Sequence, residues 1–244
     1  MSPVRWLRAV VVVGATALLL ASSCTWQLGV PIPAGVPPPA GDPVPPVDTH
    51  LTKGRPADQL HDWAAARAPA LGIPVTALEA YAYAARVAEV ENPKCHVAWP
   101  TLAAIGQIES HHGTYRHAAL ASNGDVRPPI RGVRLDGTGG TMRIIESEQT
   151  ELADDDGVAR AMGPMQFIPE TWRLYGVDAN NDGKVDVDNI DDAALSAAGY
   201  LCWSGKNLAT PRGWITALHA YNDSTQYARA VRDWATAYAA GHPL

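Results

Sequence analysis

Residues 102–113 read LAAIGQIESHHG, and this stretch places an acidic side chain within an apolar helical pattern. Leu102, Ile105 and Glu109 stand at positions i, i+3 and i+7, which share one face of a helix. The carboxyl group of Glu109 therefore occupies a place where an aliphatic side chain is expected. Because burial disfavours a charged carboxylate, a half-buried Glu has a raised pKa and suits proton donation near neutral pH. The alternative is a Glu at a helix end that faces solvent.

Seven segments show the alanine-rich composition and the apolar spacing near 3.6 residues that predict helices. They are Ala57 to Ala68, Val75 to Val90, Pro100 to His111, Glu170 to Tyr175, Asp192 to Cys202, Gly213 to Ala220 and Ser224 to Ala239. Between Gly113 and Gly163 the pattern breaks, and residues 130–135 and 141–145 look extended. We predict a mainly α domain with a short β/loop insertion, which is either a hairpin with loops or a flap over a cleft.

The composition limits the class of partner. The chain has 244 residues, of which 47% are hydrophobic and 18% are charged, so one sizeable core and one folded domain are expected. The formal net charge of -6 argues against a nucleic-acid partner, because no basic stripe is available to neutralise phosphates. Eight Trp and eight Tyr residues suit sugar binding, but they equally suit an ordinary core.

The N-terminus has the pattern of an export signal. Arg5 and Arg8 precede an apolar run from residue 9 to residue 21, which is short for a membrane span. Small residues then precede Cys24, as in the lipobox of bacterial lipoproteins, although Leu20 stands one place further from the cysteine than that pattern requires. We expect residues 1–24 to be a signal peptide and Cys24 to be lipidated at the outer face of the cell membrane. Simple secretion into the cell wall and an uncleaved anchor are the alternatives.

Proline makes up eight of the sixteen residues from Pro31 to Pro46. Such a segment builds neither a helix interior nor a central strand. We predict that residues 25–54 are a linker and that residues 55–244 are the folded domain. The linker is either a spacer that lifts the domain off the membrane or a disordered tail without a required length.

If Cys24 carries lipid, the two remaining cysteines are Cys95 and Cys202. In an oxidising compartment two such cysteines are expected to pair. The bridge would join the two halves of the domain. Two buried free thiols are the alternative.

Residues 178–186 read DANNDGKVD and match the front half of an EF-hand calcium loop. Oxygen-bearing side chains stand at loop positions 1, 3, 5 and 9, and Gly183 at position 6 permits the sharp turn. Position 12 is Asn189 rather than Glu, so the loop must close with Asp191 or Asp192. The loop itself would supply Ca²⁺ ligands from Asp178, Asn180, Asp182 and the backbone carbonyl of Lys184. The alternative is an Asx-rich turn that caps the following helix.

Several motifs together resemble one family of cell-wall enzymes. Residues 161–169 read AMGPMQFIP, residues 175–178 read YGVD and run into the calcium-like loop, and Tyr221 is followed by Asn222. In order and spacing, over about residues 70 to 240, they resemble the lytic murein transglycosylases of the membrane-bound lytic transglycosylase B type. The resemblance implies a lysozyme-like helical domain that cleaves the bond between N-acetylmuramic acid and N-acetylglucosamine in peptidoglycan. It also implies that Asp192 closes the modified EF-hand.

The resemblance implies roles for single residues. Glu109 becomes the catalytic acid/base, and the muramyl C6 hydroxyl attacks C1 to give a 1,6-anhydromuramyl product without a second fixed carboxylate. The implied substrate-binding residues are Ser110, Met165, Gln166, Tyr221 and Asn222. Alternatively, Tyr221 and Asn222 form a helix-to-helix turn with a buried and a capping residue, and Ser110 bonds only its own helix backbone. One departure is Gly157, where some relatives carry a serine near the acid.

We therefore expect an exported, lipid-anchored lytic transglycosylase that acts on peptidoglycan as a monomer and binds a structural calcium ion. A hydrolytic muramidase that uses Glu109 is the alternative within the same chemistry, and it requires a second carboxylate near Glu109. The acidic residues of the insertion are better explained as solvated surface: Glu146, Glu148, Glu151 and residues 154–156. A noncatalytic peptidoglycan-binding module is the alternative from another class. His111 and His112 point about 100° apart on a helix, so surface or packing roles are expected rather than a shared metal ion.

Overall fold

Helices are the main regular structure of the described chain, which confirms the predicted mainly α class. A computed structural model describes residues 35–138 and 158–244. The α-helices within these residues are α1 (His61–Ala65), α2 (Ala68–Leu71), α3 (Val75–Glu91), α4 (Trp99–Ser110), α5 (Pro169–Tyr175), α6 (Ile190–Gly205), α7 (Pro211–Tyr221) and α8 (Thr225–Ala239). The helix predicted over residues 57–68 is split into a 3-10 turn at Pro56–Leu60 followed by α1. It does not continue into α2, because the ring of Pro69 in the first turn of α2 is incompatible with a helix interior.

The centre of the helical core is formed by α3 and α4. In the core, α3 packs against α6 and α4 packs against α8. Buried alanines cover most of α3, and their small side chains let neighbouring helices approach closely. Gly106 of α4 lies against Tyr81 of α3, where a Cβ would collide with the tyrosine hydroxyl. Glycine at this position therefore lets the helix that carries Glu109 seat closely on α3.

The chain turns sharply at the end of α4. His111, His112 and Gly113 all have positive φ angles, between 50° and 80°. The N–H groups of the two histidines bond to carbonyl oxygens in the preceding turn of the helix. Left-handed residues with such bonds are a common way to end an α-helix. The turn leaves Glu109 in the last turn of a helix that stops directly behind it.

His112 has a packing role, as the sequence predicts for this pair of histidines. Its ring nitrogens lie 3.1 Å from the Tyr81 hydroxyl on α3 and 3.0 Å from the Tyr238 hydroxyl on α8. Burial lowers the pKa of His112 to about 3, so the ring is neutral at physiological pH. The neutral imidazole therefore links α3 and α8 behind the end of α4.

Within the described residues, two short antiparallel sheets lie between α4 and α5. In the first, β1 (Ala119–Leu120) pairs with β2 (Val126–Arg127). In the second, β3 (Arg131–Arg134) pairs with β4 (Arg160–Met162). The extended segment predicted at residues 130–135 is thus confirmed as β3, whereas residues 141–145 lie outside the described residues. Residues 163–169 follow β4 directly, so the second sheet fixes the position of the AMGPMQFIP motif.

The predicted disulfide joins Cys95 and Cys202, with 5.2 Å between their Cα atoms. It connects the loop after α3 to the last turns of α6, across 107 residues of sequence. The bond therefore links the two halves of the domain, as expected for an oxidising compartment.

Residues 42–48 are not a free spacer, although they fall within the linker predicted for residues 25–54. The indole N–H groups of Trp63 and Trp99 donate to carbonyl oxygens of the first two of these residues, both at 3.0 Å. Two valines of the segment pack against the hydrophobic core. The linker boundary is corrected accordingly, because proline-rich backbone keeps free carbonyl oxygens that can accept bonds from buried indoles. We call residues 42–48 the N-terminal strap.

Removal of the N-terminal strap is expected to destabilise the domain. A chain that begins at residue 50 loses both indole acceptors and the apolar contacts of the strap, which together stabilise the fold by roughly 2–4 kcal/mol. We expect its melting temperature to lie about 5–10 °C below that of a chain that begins at residue 41, which keeps the strap and lacks all of the prolines before it. Calorimetry of the two chains measures the difference, and equal melting temperatures would show that the strap adds no stability.

Candidate active site

Glu109 lies in the last turn of α4 with a half-buried side chain. The hydroxyl of Tyr227 on α8 donates a hydrogen bond of 2.7 Å to Glu109 Oε1. Burial raises the pKa of Glu109 to about 7, and the Tyr227 hydrogen bond opposes part of that rise because it stabilises the charged form. The carboxyl group can therefore hold a proton near neutral pH, as its place in the apolar pattern predicts.

A cleft of about 480 Å³ opens beside Glu109. Its lining is rich in cationic and aromatic side chains: Tyr115, Arg116, Arg131 and Arg160. Arg131 donates to both carboxylate oxygens of Asp188, at 2.7 and 2.8 Å, which fixes the arginine beside β3. Among the residues that the structure describes, Glu109 is the only carboxylate in the lining. The acidic residues of the insertion, between residues 146 and 156, lie outside the described residues.

A smaller cavity is connected to Glu109 through stacked tyrosines. The ring of Tyr221 lies parallel to that of Tyr227, with 6.5 Å between centroids and an interplanar angle of 6°. The Tyr221 hydroxyl donates to the Met165 carbonyl at 2.7 Å, which holds the ring in place. Tyr221 lines the cavity together with Gln166 and Tyr200. The structure therefore brings two of the predicted substrate-binding residues, Tyr221 and Gln166, to one cavity next to the acid.

The AMGPMQFIP motif forms a tight turn between β4 and α5. Met162 and Phe167 exchange backbone hydrogen bonds of 2.8 and 2.9 Å and close the turn as an antiparallel bridge. Gly163 has a φ of 73°, and a Cβ there would collide with the carbonyl oxygen of Val187. Only glycine satisfies both conditions. The glycine of the motif is thus explained by backbone geometry rather than by chemistry.

Two residues with a predicted substrate-binding role are buried. Met165 is 0% exposed, because its side chain belongs to the hydrophobic core. Ser110 is buried as well, and its hydroxyl donates to the Pro164 carbonyl at 2.6 Å and accepts from the Gly113 N–H at 2.7 Å. Both side chains are thus engaged in packing or hydrogen bonds within the fold, and Ser110 also contributes to the lining of the cleft beside Glu109. Their contact with substrate stays a prediction. Ser110 ties the end of α4 to the turn of the motif and so positions Glu109.

Gln166 belongs to the motif turn, and its side chain lies next to Gly132 of β3. Its φ angle is 52°, an uncommon value for a residue other than glycine, and its Nε2 donates to the Gly163 carbonyl at 2.8 Å. A Cβ at Gly132 of β3 would stand 2.7 Å from Gln166 Oε1. The absence of a side chain at position 132 therefore leaves room for the Gln166 amide, which remains partly exposed.

Asn222 follows the last residue of α7 and is exposed. Asn222 is the C-terminal cap residue of α7, since its N–H donates to the Leu218 carbonyl at 2.8 Å, as the alternative interpretation of this turn expects. It stands next to Tyr221, and the following helix α8 is capped by Ser224, whose hydroxyl accepts from the Tyr227 N–H at 3.3 Å. The cap also sets the start of the helix that carries Tyr227.

Residues 178–186 form a loop in which main-chain N–H groups donate to side-chain oxygens. The N–H groups of Gly183 and Lys184 donate to Asp178 Oδ2 at 3.0 Å and to Asp182 Oδ1 at 2.9 Å. Asn180 Oδ1 accepts from the Asp182 N–H at 2.9 Å. Asp178 Oδ1 is buried and has no hydrogen-bond partner among the described residues. A buried carboxylate oxygen in this state is costly unless a cation or water satisfies it.

Asp192, rather than Asp191, faces this loop. Asp192 Oδ1 accepts from the Ala179 N–H at 2.8 Å, and its Oδ2 accepts from the Asp186 N–H at 2.9 Å. Burial raises the pKa of Asp192 to about 7 in spite of these bonds. Asp191 is instead the partner of Arg55. Of the two aspartates that the sequence offers to close the loop, only Asp192 is in position.

The alternative interpretation of this loop, as an Asx turn that caps a helix, holds for one residue. The side chain of Asn189 caps α6 by accepting from the Asp191 N–H at 2.9 Å. Within residues 35–138 and 158–244, no group of three or more His, Cys, Asp or Glu side chains is arranged as a metal cluster. An EF-hand takes ligands from amide and main-chain oxygens as well as from carboxylates.

Tyr227 and Tyr200 were not identified from the sequence. Tyr227 lies 118 residues after Glu109, and only the packing of α8 on α4 brings the two together. A tyrosine in a helix is most often a core residue, so its sequence position carries no signal of a role beside the acid. Arg131 and Arg160 at the cleft likewise stand on short strands whose pairing the sequence does not specify.

Comparison with known proteins places part of the chain in a described family. Residues 137–216 match the family described as Transglycosylase SLT domain. The match includes the motif turn and the loop of residues 178–186, and it begins after Glu109. Among solved structures, the chain is similar to SltB3 from Pseudomonas aeruginosa, crystallised in complex with NAG-anhNAM-pentapeptide. The identity is 18%, the TM-score is 0.43, and the match covers 77% of this chain and 68% of the other. No curated protein sequence matches the chain.

Proposed function

We propose that this chain, of which residues 137–216 match the transglycosylase SLT domain, uses Glu109 as the acid/base of a peptidoglycan lytic transglycosylase. The activity class is that of the family, and the assignment of the acid is ours. One observation carries it: the half-buried carboxyl group of Glu109 has a pKa of about 7 and lies at a cleft beside the turn that the family match includes. The predicted lysozyme-like, mainly α domain agrees with that match.

The hydrogen bond from Tyr227 gives the two carboxyl oxygens of Glu109 different roles. Oε1 accepts from the Tyr227 hydroxyl, so the transferable proton belongs on Oε2. Oε2 gives this proton to the glycosidic oxygen as the bond to the muramyl C1 breaks. The Tyr227 hydrogen bond then stabilises the carboxylate that is left, because a bond to a charged acceptor is stronger than a bond to a neutral one.

The carboxylate then takes the proton of the muramyl C6 hydroxyl while the C6 oxygen bonds to C1. This closes the 1,6-anhydro ring, and Glu109 returns to its protonated state. Hydrolases that use water need a second carboxylate at about 5 Å or about 6.5–9.5 Å. Among the described residues the cleft offers none beside Glu109. This observation favours the anhydromuramyl product over hydrolysis.

Three partly or fully exposed side chains would bind the sugar rings: Gln166 and Tyr221, which line the smaller cavity, and Asn222, which follows Tyr221. The ring of Tyr221 offers an apolar face, and the two amides offer donors and acceptors for hydroxyl and acetamido groups. Because the Tyr221 hydroxyl is already bonded to the Met165 carbonyl, the ring itself is the part available to a sugar.

The two alternatives make different predictions for purified peptidoglycan. A muramidase releases fragments with hydrated reducing ends, and a noncatalytic module binds peptidoglycan without releasing fragments. Lytic cleavage releases fragments with anhydromuramyl ends. Analysis of soluble fragments after incubation with the full chain therefore separates all three functions.

The EF-hand-like loop is proposed to hold a structural Ca²⁺ ion. The hydrogen-bond pattern and the unpartnered Asp178 Oδ1 fit such an ion, since Ca²⁺ takes six to eight oxygen ligands. The ligands would be Asp178, Asn180, Asp182, the carbonyl oxygen of Lys184, and Asp192. Bound there, the ion would stiffen the segment between α5 and α6 and leave the proton transfer to Glu109.

Chelation of Ca²⁺ is expected to lower the melting temperature. At a calcium concentration about 100-fold above the dissociation constant, the ion contributes about 2.7 kcal/mol, or roughly 5–10 °C for a domain of this size. Calorimetry with calcium and with a chelator measures this shift. The Asp178→Ala variant is the control, because it should show no shift. An unchanged melting temperature of the unmodified chain on chelation would exclude a structural ion.

The protein acts on peptidoglycan, which lies outside the cytoplasm. No helix among the described residues has the length and apolar character needed to span a membrane. We propose that Cys24 is lipidated, on the sequence pattern that precedes it. Expressed in a bacterial host, the unmodified chain is expected to pellet with membranes and the Cys24→Ser variant to remain soluble. Equal distribution of the two chains would contradict the lipid anchor.

A further inference from the structure

A groove of about 560 Å³ lies between the ends of α3 and α5 and the surface of α6. We call it the distal groove; its lining includes Glu91, Lys94, Tyr175, Leu195, Trp203 and Lys206. Trp203 keeps 60% of its surface exposed. A single exposed apolar side chain needs no explanation. The Trp203 indole, however, borders a concave surface together with a second aromatic ring, that of Tyr175. The fold does not require this indole to be exposed.

Aromatic rings in contact connect the distal groove to the acid. The centroid of Trp203 lies 5.8 Å from that of Tyr175, and Tyr175 lies 4.9 Å from Tyr200. Tyr200 lies 6.0 Å from Tyr221, which stacks on the Tyr227 ring that bonds to Glu109. Each ring thus touches the next from Trp203 to the acid. Tyr175, Tyr200 and Tyr221 all remain partly exposed.

The charge of the distal groove differs from that of the whole chain. Lys94 and Lys206 are exposed in its lining, against one carboxylate, Glu91, although the chain has a formal net charge of -6. Lys206 Nζ lies 5.2 Å from the ring centroid of Trp203. Among the described residues neither lysine is engaged in an ion pair. An aromatic ring beside two available cations suits a ligand that combines sugar rings with carboxylates.

We propose that the distal groove is a remote subsite for the same peptidoglycan strand that is cut at Glu109. A sugar ring of the strand packs against Trp203, and a carboxylate carried by the strand pairs with Lys94 and Lys206. The inference rests on the proposed function for the identity of the strand. Continuity of the aromatic rings with the site and the local positive charge favour a glycan with anionic substituents over a protein partner.

A binding experiment tests the subsite independently of cleavage. The full chain carrying Glu109→Gln is pelleted with purified peptidoglycan, with and without Trp203→Ala. Loss of one aromatic contact is expected to weaken binding about five- to tenfold. Leu174→Ala is the matched control, because Leu174 precedes Tyr175, is 72% exposed and does not line the groove. Trp203→Phe keeps a ring and should retain part of the affinity.

The active chain provides a second readout. Two cleavage rates are compared: the rate on long glycan strands and the rate on a muropeptide that spans only the cleavage point. The ratio of the first rate to the second should fall by a similar factor in Trp203→Ala. Unchanged binding, or an equal loss of rate on both substrates, would overturn the remote subsite. If the unmodified chain cleaves neither substrate, the proposed function fails, and the pelleting comparison alone still decides whether the groove binds peptidoglycan.

Discussion

Replacement of Glu109 by Gln is expected to reduce peptidoglycan cleavage by about 10² to 10⁴-fold, the usual contribution of a general acid/base. Gln keeps the shape of the side chain and can still accept from the Tyr227 hydroxyl, but it cannot give a proton to the glycosidic oxygen. Binding to peptidoglycan should be retained, because the tyrosines and amides around the acid are unchanged. Release of soluble fragments measures cleavage, and pelleting measures binding.

Glu89→Gln is the matched control, since Glu89 is an exposed glutamate of α3 outside the cleft. It should cleave as fast as the unmodified chain. If Glu109→Gln were also to cleave at the unmodified rate, Glu109 would have no part in the mechanism.

The pH dependence of cleavage follows from the same carboxyl group. The acid must be protonated, so kcat/KM should fall as pH rises through about 7, the folded-state pKa of Glu109. Tyr227→Phe removes the hydrogen bond that lowers this pKa, so the fall should move to higher pH. Activity that stays constant up to pH values well above 7 would contradict the assignment. A kinetic pH profile of both chains makes the comparison.

The stability of the fold should change with pH, because burial gives Glu109 a different pKa in the folded state from that in the unfolded state. The folded-state pKa of Glu109 is raised, so its contribution to stability is present at low pH and is lost as pH rises through about 7. A Gln side chain does not ionise, so it causes no such loss of stability as pH rises. The Glu109→Gln variant should therefore melt at a higher temperature than the unmodified chain at pH 8, and the difference should narrow at pH 5.

The largest expected loss of stability comes from Asp191→Ala. Both oxygens of Asp191 accept from the guanidinium of Arg55, at 2.7 and 2.9 Å, and both side chains are buried. Removal of one partner leaves the other charge buried with fewer partners, which costs about 3–5 kcal/mol. For a domain of this size the melting temperature should fall by about 10–15 °C. Glu79 also pairs with Arg55 and keeps the loss from being larger.

Asp58→Ala provides the control for this prediction. Asp58 pairs with the same guanidinium at 2.9 Å, but its side chain is 64% exposed. An exposed ion pair contributes little, so the variant should melt within about 2 °C of the unmodified chain. Equal losses for the two variants would show that burial does not decide the strength of this network.

Local patterns in the sequence predict much of this fold. The spacing of apolar residues identifies α3 to α8, because each of these helices has a face or surface that packs in the core. The pairing of Cys95 with Cys202 follows from the number of cysteines and the compartment. The strap could not be predicted in this way, since its attachment depends on two distant indoles, Trp63 and Trp99.

The candidate site is predicted only in part from the sequence. Glu109 stands out because it interrupts an apolar stripe, and that is a local signal. The burial of Met165 is not local, since a turn fixed by Gly163 directs that side chain into the core while the neighbouring Gln166 remains partly exposed. The choice of Asp192 over Asp191 likewise depends on Arg55, 136 residues before Asp191. Tertiary contacts decide both cases.

Mass spectrometry of the fragments released from purified peptidoglycan by the full chain tests the central claim most directly. If Glu109 acts with the muramyl C6 hydroxyl, the fragments carry anhydromuramyl ends, each one water molecule lighter than a hydrolysed end, and Glu109→Gln releases none. Hydrated ends would contradict the lytic mechanism and would require a second carboxylate beside Glu109.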